Sequence, residues 1–445
     1  MSEVVVAAAT PWGHGALALV RLSGPGLLEV LEGFVHPFAG WPVPPGRTRR
    51  VRLRDAEGVF DDGVLVLGRA PHTLTGEDTA EITCHGNPLL VERLVRAAIV
   101  SGARLAERGE FTRRAVVNGK LDLIAAEGVL QVSRARTARG VAIGRDALEG
   151  RLSAFVHQTR EALATAAAEL EARLDYPADE LALEDDAAVS ARLREVARAC
   201  EALAATMPAG RALVHGARVA LVGAVNAGKS SLFNALLGRQ RALVHETPGT
   251  TRDVLEAPAQ LGRVAVTLLD TAGERATADP VEAAGLALAR ELVADADLLL
   301  VVLRAAPDAP SATEREILER TAGVPRVLVY NGVDRAPVAP APAGALATVA
   351  PAGRGVASVR EAIVRALLGE EPLSERLVIA SARQRDRLAE VARLAVEAVE
   401  ALPGAGPAVA ADATTRALEV LDELTGADPR EAVLDRLFAR FCIGK

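Results

Sequence analysis

The segment "RVALVGAVNAGKSSLFNALLG" at 218–238 constrains the fold more than any other part of the chain. A short apolar run is followed by a glycine-bounded loop and then by an amphipathic run, which is the order strand, turn, helix. Gly223, Gly228, Lys229 and Ser230 fit the phosphate-loop pattern GxxxxGK[ST], and the flanking elements are those the pattern requires. The glycines let backbone N–H groups wrap a phosphate, and the helix N-terminus adds positive potential. Lys229 carries a compact ammonium suited to β- and γ-oxygens, where the broad fork of an arginine is not. Ser230 can ligate magnesium. Asn226, Ala227, Gly228, Lys229, Ser230 and Ser231 are therefore expected to surround the phosphates.

Two further stretches fit a nucleotide-sensing switch. "HETPGTTRD" places His245, Glu246, Thr247, Pro248, Gly249, Thr250 and Thr251 in one loop, where Thr250 and Thr251 can sense a γ-phosphate. "LLDTAG" puts Asp270 at the end of a strand, followed by Thr271, Ala272 and Gly273. Asp270 can hold a magnesium-bound water, and the N–H of Gly273 can reach the γ-phosphate, so that the two loops relax on hydrolysis. Base recognition falls to "YNGVDR" at 330–335, which is similar to the GTPase NKxD element. Asp334 can accept both guanine N1–H and N2–H, and Asn331 can tie this loop to the phosphate loop. The usual lysine is Gly332 here, and the next element places Val349 where a serine is usual, with Ala350 retained. Guanine specificity with reduced affinity is expected.

The rest of the chain sets these motifs in context. Its 445 residues exceed one simple core, and half of them are hydrophobic, as in globular proteins. The net charge of −7 excludes a whole-molecule attraction to nucleic acid, so any such contact needs local patches. Three cysteines without a CxxC pair argue against a disulfide framework or zinc site and fit a reducing cytosol. The first residues lack the basic and apolar regions of a signal peptide, and "LLLVVL" is too short to span a bilayer, so a cytoplasmic protein is expected. Residues 1–118 read as mixed α/β and 119–212 as helical. Residues 213–372 show the βα alternation of a mostly parallel sheet, with a Pro/Ala-rich loop at 336–345, and 373–445 are helical again. The expectation is an α/β domain inserted between two helical stretches that pack together.

The phosphate loop with Asn226, "GTTRD", "DTAG", the helical flanks and the terminal "FCIGK" resemble the tRNA-modification GTPase family called MnmE or TrmE. "ATPWGHGALALVRLSGP", "LTGEDTAEITCHGN" and "ERGEFTRRAVVNGKLDLIAAEG" extend the likeness over nearly the whole chain. The resemblance implies an N-terminal folate-binding and dimerisation domain, a helical domain built from both sides of the insert, and a Ras-like G domain. It also implies joint action with an FAD-dependent partner, MnmG or GidA. Together they would add a carboxymethylaminomethyl or aminomethyl group to carbon 5 of the wobble uridine of certain tRNAs, with the one-carbon unit drawn from a tetrahydrofolate derivative.

Further roles follow from the same resemblance. G domains of a homodimer would meet across their nucleotides, with potassium in place of an arginine finger. Asn226, His245, Thr247 and Thr250 would line the potassium site, and Ser230 and Thr251 would ligate magnesium. Asn226 is open to a second reading, as support for the loop's shape. Glu282 in "DPVEAAG" matches the family's catalytic glutamate, and Glu274, directly after DTAG, is the alternative. Arg21, Glu81, Lys120 and Lys445 match the folate positions, and Arg21 with Glu81 also fits an ordinary ion pair. Cys84 and Asn87 make "CHGN" a departure from the family's "GHGG", and His85 reads as structural. Cys442 is either a participant in the uridine chemistry or a small buried hydrophobe. The lysines of the chain are Lys120, Lys229 and Lys445, each inside a motif, which points to "CIGK" folding back to a folate pocket. The arginines at 47–54 and 134–151 are either solvated faces or tRNA phosphate contacts. Rival readings are a ribosome-assembly GTPase of the Era or Der type, and a nucleotide-sensing scaffold that does not hydrolyse.

Overall fold

The computed structural model describes residues 3–41, 43–175, 185–238, 255–270, 295–335, 338–370, 376–426 and 431–444. The chain divides into two compact units. One comprises Met1–Leu130, Ala147–Glu161 and Leu418–Lys445, and the other Gln131–Asp146 and Ala162–Ala417.

The first unit is built on a seven-stranded sheet of β1 (Val5–Ala8), β2 (Leu17–Ser23), β3 (Val35–Pro37), β4 (Thr48–Asp55), β5 (Gly58–Gly68), β6 (Thr79–His85) and β7 (Arg104–Leu105). The strand order is β3-β4-β5-β6-β2-β1-β7, antiparallel except for the β1–β7 pair. Alternation along the strands sorts the residues. Val51 and Leu53 of β4 are buried while Arg50 and Arg52 face outward, the two-residue period of a half-buried strand. The inner face packs on α1 (Leu27–Glu32) and α2 (Pro88–Val100) through Val20, Leu22, Ile82, Leu94 and Ala98. Asn87, the departure in "CHGN", caps α2: its side chain accepts from the Leu89 N–H, and Pro88 occupies the first turn.

On the other face, β1 places Val5 and Ala7 against Ala106, which follows β7, and against Phe111 of α3 (Glu110–Val117). The chain then enters α4 (Leu123–Arg134), α5 (Ala138–Leu148) and α6 (Arg151–Asp175). The helix Glu431–Phe438 returns to this unit. Its Leu434, Leu437 and Phe438, with Phe441, bury themselves against Val116, Leu123 and Ala126.

In the second unit, α7 (Asp186–Ala204) packs along the helix Ala382–Ala401, so helices from either side of the insert meet. Then come α8 (Met207–His215), β8 (Ala217–Val222), α9 (Lys229–Leu237), β9 (Leu255–Leu261), β10 (Val264–Asp270), β11 (Leu298–Arg304), β12 (Arg326–Asn331) and β13 (Leu346–Thr348). The strand order is β13-β12-β11-β8-β10-β9, parallel except for the β9–β10 hairpin. β8 and β11 are buried on both faces, which is why they read as unbroken apolar runs. The architecture is therefore α/β plus all-α, with a Ras-like P-loop domain inserted into a helical one. No helix among the described residues is long and apolar enough to cross a membrane.

Candidate functional site

The phosphate loop leaves β8 at Gly223 and ends at Gly228, where α9 begins. Both glycines are required by close approach. A β-carbon on Gly223 would lie 2.3 Å from the Val302 carbonyl oxygen, and one on Gly228 would lie 2.2 Å from Asn331 Nδ2. Gly228 has φ +91°, and Asn226 is the single non-glycine residue with positive φ among the described residues, at +61°. Lys229 Nζ donates to the carbonyls of Gly223 (2.9 Å) and Ala224 (3.0 Å), which holds the ammonium against the loop. Burial lowers the Lys229 pKa from its ordinary value, and the nearby Asp270 carboxylate offsets part of that. An ammonium so deprived of water gains strongly from a phosphate oxygen. Asp270 is buried at the end of β10, beside Leu221 of β8.

Asn331 organises the base side of the site from the end of β12, where it is buried. Its Nδ2 donates to the Ala227 carbonyl (3.2 Å), and its Oδ1 accepts from Thr348 Oγ1 and the Ala350 N–H (3.1 Å each). One amide thus joins the phosphate loop, the "NGVD" loop and the turn after β13. The three loops enclose a cavity of about 320 Å³ whose lining includes Asn226, Gly228, Ser231, Asp334 and Val349. Arg304 and Arg335 also line it, and sequence reasoning missed both. Arg335 carried a signal, since it directly follows Asp334, whereas Arg304 at the end of β11 carried none. His245, Glu246, Thr247, Pro248, Gly249, Thr250, Thr251, Thr271, Ala272, Gly273, Glu274, Glu282 and Lys445 lie outside the described residues.

A second cluster occupies the first unit. On β2, Arg21 stands between Ala7 of β1 and Glu81 of β6. Its Nε and Nη2 both donate to Glu81 Oε1, at 2.9 and 2.7 Å, and its guanidinium lies 5.7 Å from the centre of the Phe111 ring. The loop "LTGED" leads into β6, the strand that carries Glu81, and is held from outside the sheet. Asn118 Nδ2 donates to the Thr75 carbonyl, and the Lys120 stem covers Gly76, its Cγ 3.2 Å from where a β-carbon would sit.

Beneath that loop lies Arg114, 1% exposed. It donates to Glu110 Oε1 (2.9 Å), Glu77 Oε2 (2.9 Å) and the Glu3 and Ser23 carbonyls. Ser23 Oγ in turn meets Thr75 and Glu77. Burial alone would raise the Glu110 pKa, but hydrogen bonds from Arg104, the Glu107 N–H and Arg114 hold it below its ordinary value. Sequence reasoning missed Arg114 and Glu110, although their four-residue spacing on a helix was visible.

The last described residues fold back on this unit. The Cys442 carbonyl accepts from the Gly109 N–H (3.3 Å), Ile443 bridges to Arg108, and a β-carbon on Gly444 would lie 2.1 Å from the Ala8 carbonyl oxygen. Cys442 is exposed, which corrects its reading as a small buried hydrophobe: the neighbouring Phe441 takes the buried position instead. The other thiols are buried. Burial, with Asp61 close by, pushes Cys84 up to about 11, and burial pushes Cys200 up to about 12. His85 is exposed, and Asp61 accepts from its backbone N–H and lies 2.6 Å from its Nδ1. In the 47–54 arginine cluster, Arg50 pairs with Asp62, and Arg50 and Arg52 both lie over the Phe38 ring.

Family models match both parts of this organisation. The model described as the GTP-binding protein TrmE N-terminus matches residues 4–120, and the MnmE helical domain model matches residues 123–442. The tRNA modification GTPase MnmE of Roseiflexus castenholzii is 38% identical over 469 aligned residues, covering 100% of this chain and 99% of that protein. The chain belongs to the MnmE family. A second MnmE relative, from Chloroflexus aurantiacus, is 39% identical over 465 aligned residues, with 100% of both chains covered. Likeness over the full length of MnmE proteins leaves the Era or Der reading without support.

Proposed function

We propose that the chain is a potassium-stimulated GTPase that acts in tRNA wobble-uridine modification. The observation that carries the GTPase reading is the Asn331 amide. It joins the phosphate loop to Asp334's loop around a cavity that offers phosphate donors at one side and a carboxylate at the other. Lys229 and the Gly228 end of α9 bind and orient the phosphates, while Asp334 accepts from the guanine edge. Ser230 and Thr251 are assigned to magnesium. Asn226, whose strained backbone sets it apart in the loop, is assigned to potassium with His245, Thr247 and Thr250. A fixed cation there would stabilise charge developing on the transferred phosphate. Glu282 is assigned to positioning the water, with Glu274 as the alternative. GTP hydrolysis measured in potassium and in sodium tests this reading: at least about a tenfold stimulation by potassium is expected. Equal rates in the two salts would overturn the potassium assignment, and only the absence of turnover in both, with normal GTP binding, would favour the scaffold reading.

The first unit is assigned to a tetrahydrofolate derivative, whose bound one-carbon unit would supply the added carbon. The pair Arg21–Glu81 suits such a ligand, because it is partly exposed and leaves Glu81 Oε2 outside its two hydrogen bonds. Lys120 and Lys445 would address carboxylates. The domain assignment that goes with this reading is 1–118 for folate and dimerisation, 119–212 and 373–445 for the helical domain, and 213–372 for the G domain. The cytoplasmic homodimer would act on tRNA with an FAD-dependent MnmG or GidA partner. The tail is held against Ala8 and Gly109 in the Arg21 unit, which supports a role at this site. Deleting residues 442–445 is therefore expected to abolish wobble modification while GTP turnover persists. Persistent modification in that variant would refute the assignment of the tail.

A further inference from the structure

We infer that Arg335 clamps one face of the nucleotide base and so takes over a contact that residue 332 cannot make. This rests on the reading of the cavity as a guanine-nucleotide site. Residue 332 is a glycine at φ +88°, a conformation that L side chains rarely adopt, so any longer residue there would be strained. Its backbone is anchored on both sides, by the Gly332 N–H to the Thr348 carbonyl (2.7 Å) and by the Arg335 N–H to the Gly332 carbonyl (3.1 Å). This tight turn brings the Arg335 side chain back across its own loop. Arg335 Cδ and Nε lie 3.8 and 3.9 Å from the position a β-carbon on Gly332 would occupy.

The stem of Arg335 thus packs beside the bare glycine, and both line the cavity together with Asp334. None of the described residues that line the cavity is aromatic, so none of them offers a ring to stack on a planar purine. A guanidinium is planar, weakly hydrated and suited to stacking on a π face. Asp334 reads the edge of the base, and Arg335, the next residue, is placed to read its face. The division of labour predicts that Arg335 contributes affinity without contributing specificity.

Titration calorimetry of the full chain with magnesium and GDP tests this. Arg335→Ala is expected to weaken GDP binding about tenfold, and Arg335→Met, which keeps an unbranched stem, about threefold, with unchanged thermal melting. Asp334→Asn separates the clamp from the pocket reading, because it should exchange guanine for xanthine preference. Within that variant, Arg335→Ala should weaken XDP binding by the same tenfold factor. If Asp334→Asn leaves base preference unchanged, the pocket reading itself falls. If preference switches but Arg335→Ala and Arg335→Met bind GDP within twofold of wild type, the clamp is overturned. A loss seen with GDP in the Asp334 protein but not with XDP in the Asn variant would also overturn it, since a face contact is blind to the edge.

Discussion

Replacing Lys229 by alanine is expected to weaken GTP binding at least about a hundredfold and to stop hydrolysis. The ammonium is held at the loop by two carbonyls and is already short of water, so its exchange of those partners for phosphate oxygens is strongly favourable. Losing two charge-assisted hydrogen bonds of about 1.5–3 kcal/mol each corresponds to a factor of about 10² or more. The variant should fold normally, because the surrounding strand and α9 are held by Val219, Leu221, Leu232 and Phe233 of the core. Filter binding of labelled GTP, with circular dichroism as the control for folding, checks both statements. Binding within a few-fold of wild type would show that phosphate is held elsewhere.

The second large effect is structural. Arg114→Ala is expected to destabilise the first unit by about 3–5 kcal/mol, the range for removing one partner of a buried ion pair. Glu110 is 4% exposed, and Glu77 would lose the same cation, so two carboxylates would be left short of a partner. The same network sets an acid limit. Glu110 has a folded-state pKa below its ordinary 4.5, so its contribution is complete above that value and is lost as pH falls through the depressed one. Chemical denaturation followed at neutral pH and again below pH 4 should show the wild type losing more stability with acid than Arg114→Ala does. Equal acid sensitivity in the two proteins would rule out Arg114 as a cause, since Arg104 and the Glu107 N–H still hold Glu110 in the variant.

These cases also show what could be read from sequence and why. β8, β10, β11 and β12 were legible because strands buried on both faces are written as apolar runs. β9 was not, since its "LEAPAQL" includes Pro258, a residue tolerated only because β9 is an edge strand. The phosphate loop and Asn331 were legible because each acts through backbone a few residues away or through a recurring motif. The roles of Arg114, Arg304 and Arg335 were hidden for a different reason, although the spacing of Arg114 from Glu110 and the place of Arg335 after Asp334 were visible. An arginine looks like a surface residue until tertiary packing supplies its carboxylates or closes a cavity beside it. Asn87 was visible only as a departure, and its capping of α2 became clear once the helix start was known.

The central claim is that GTP turnover by this chain serves modification of the wobble uridine. Mass spectrometry of tRNA nucleosides tests it most directly, in a strain lacking the chain and in the same strain supplied with wild type or Lys229→Ala. The account predicts that the C5-aminomethyl-type uridines vanish on deletion, return with wild type and stay absent with Lys229→Ala. Unchanged wobble uridines in the deletion strain would contradict it.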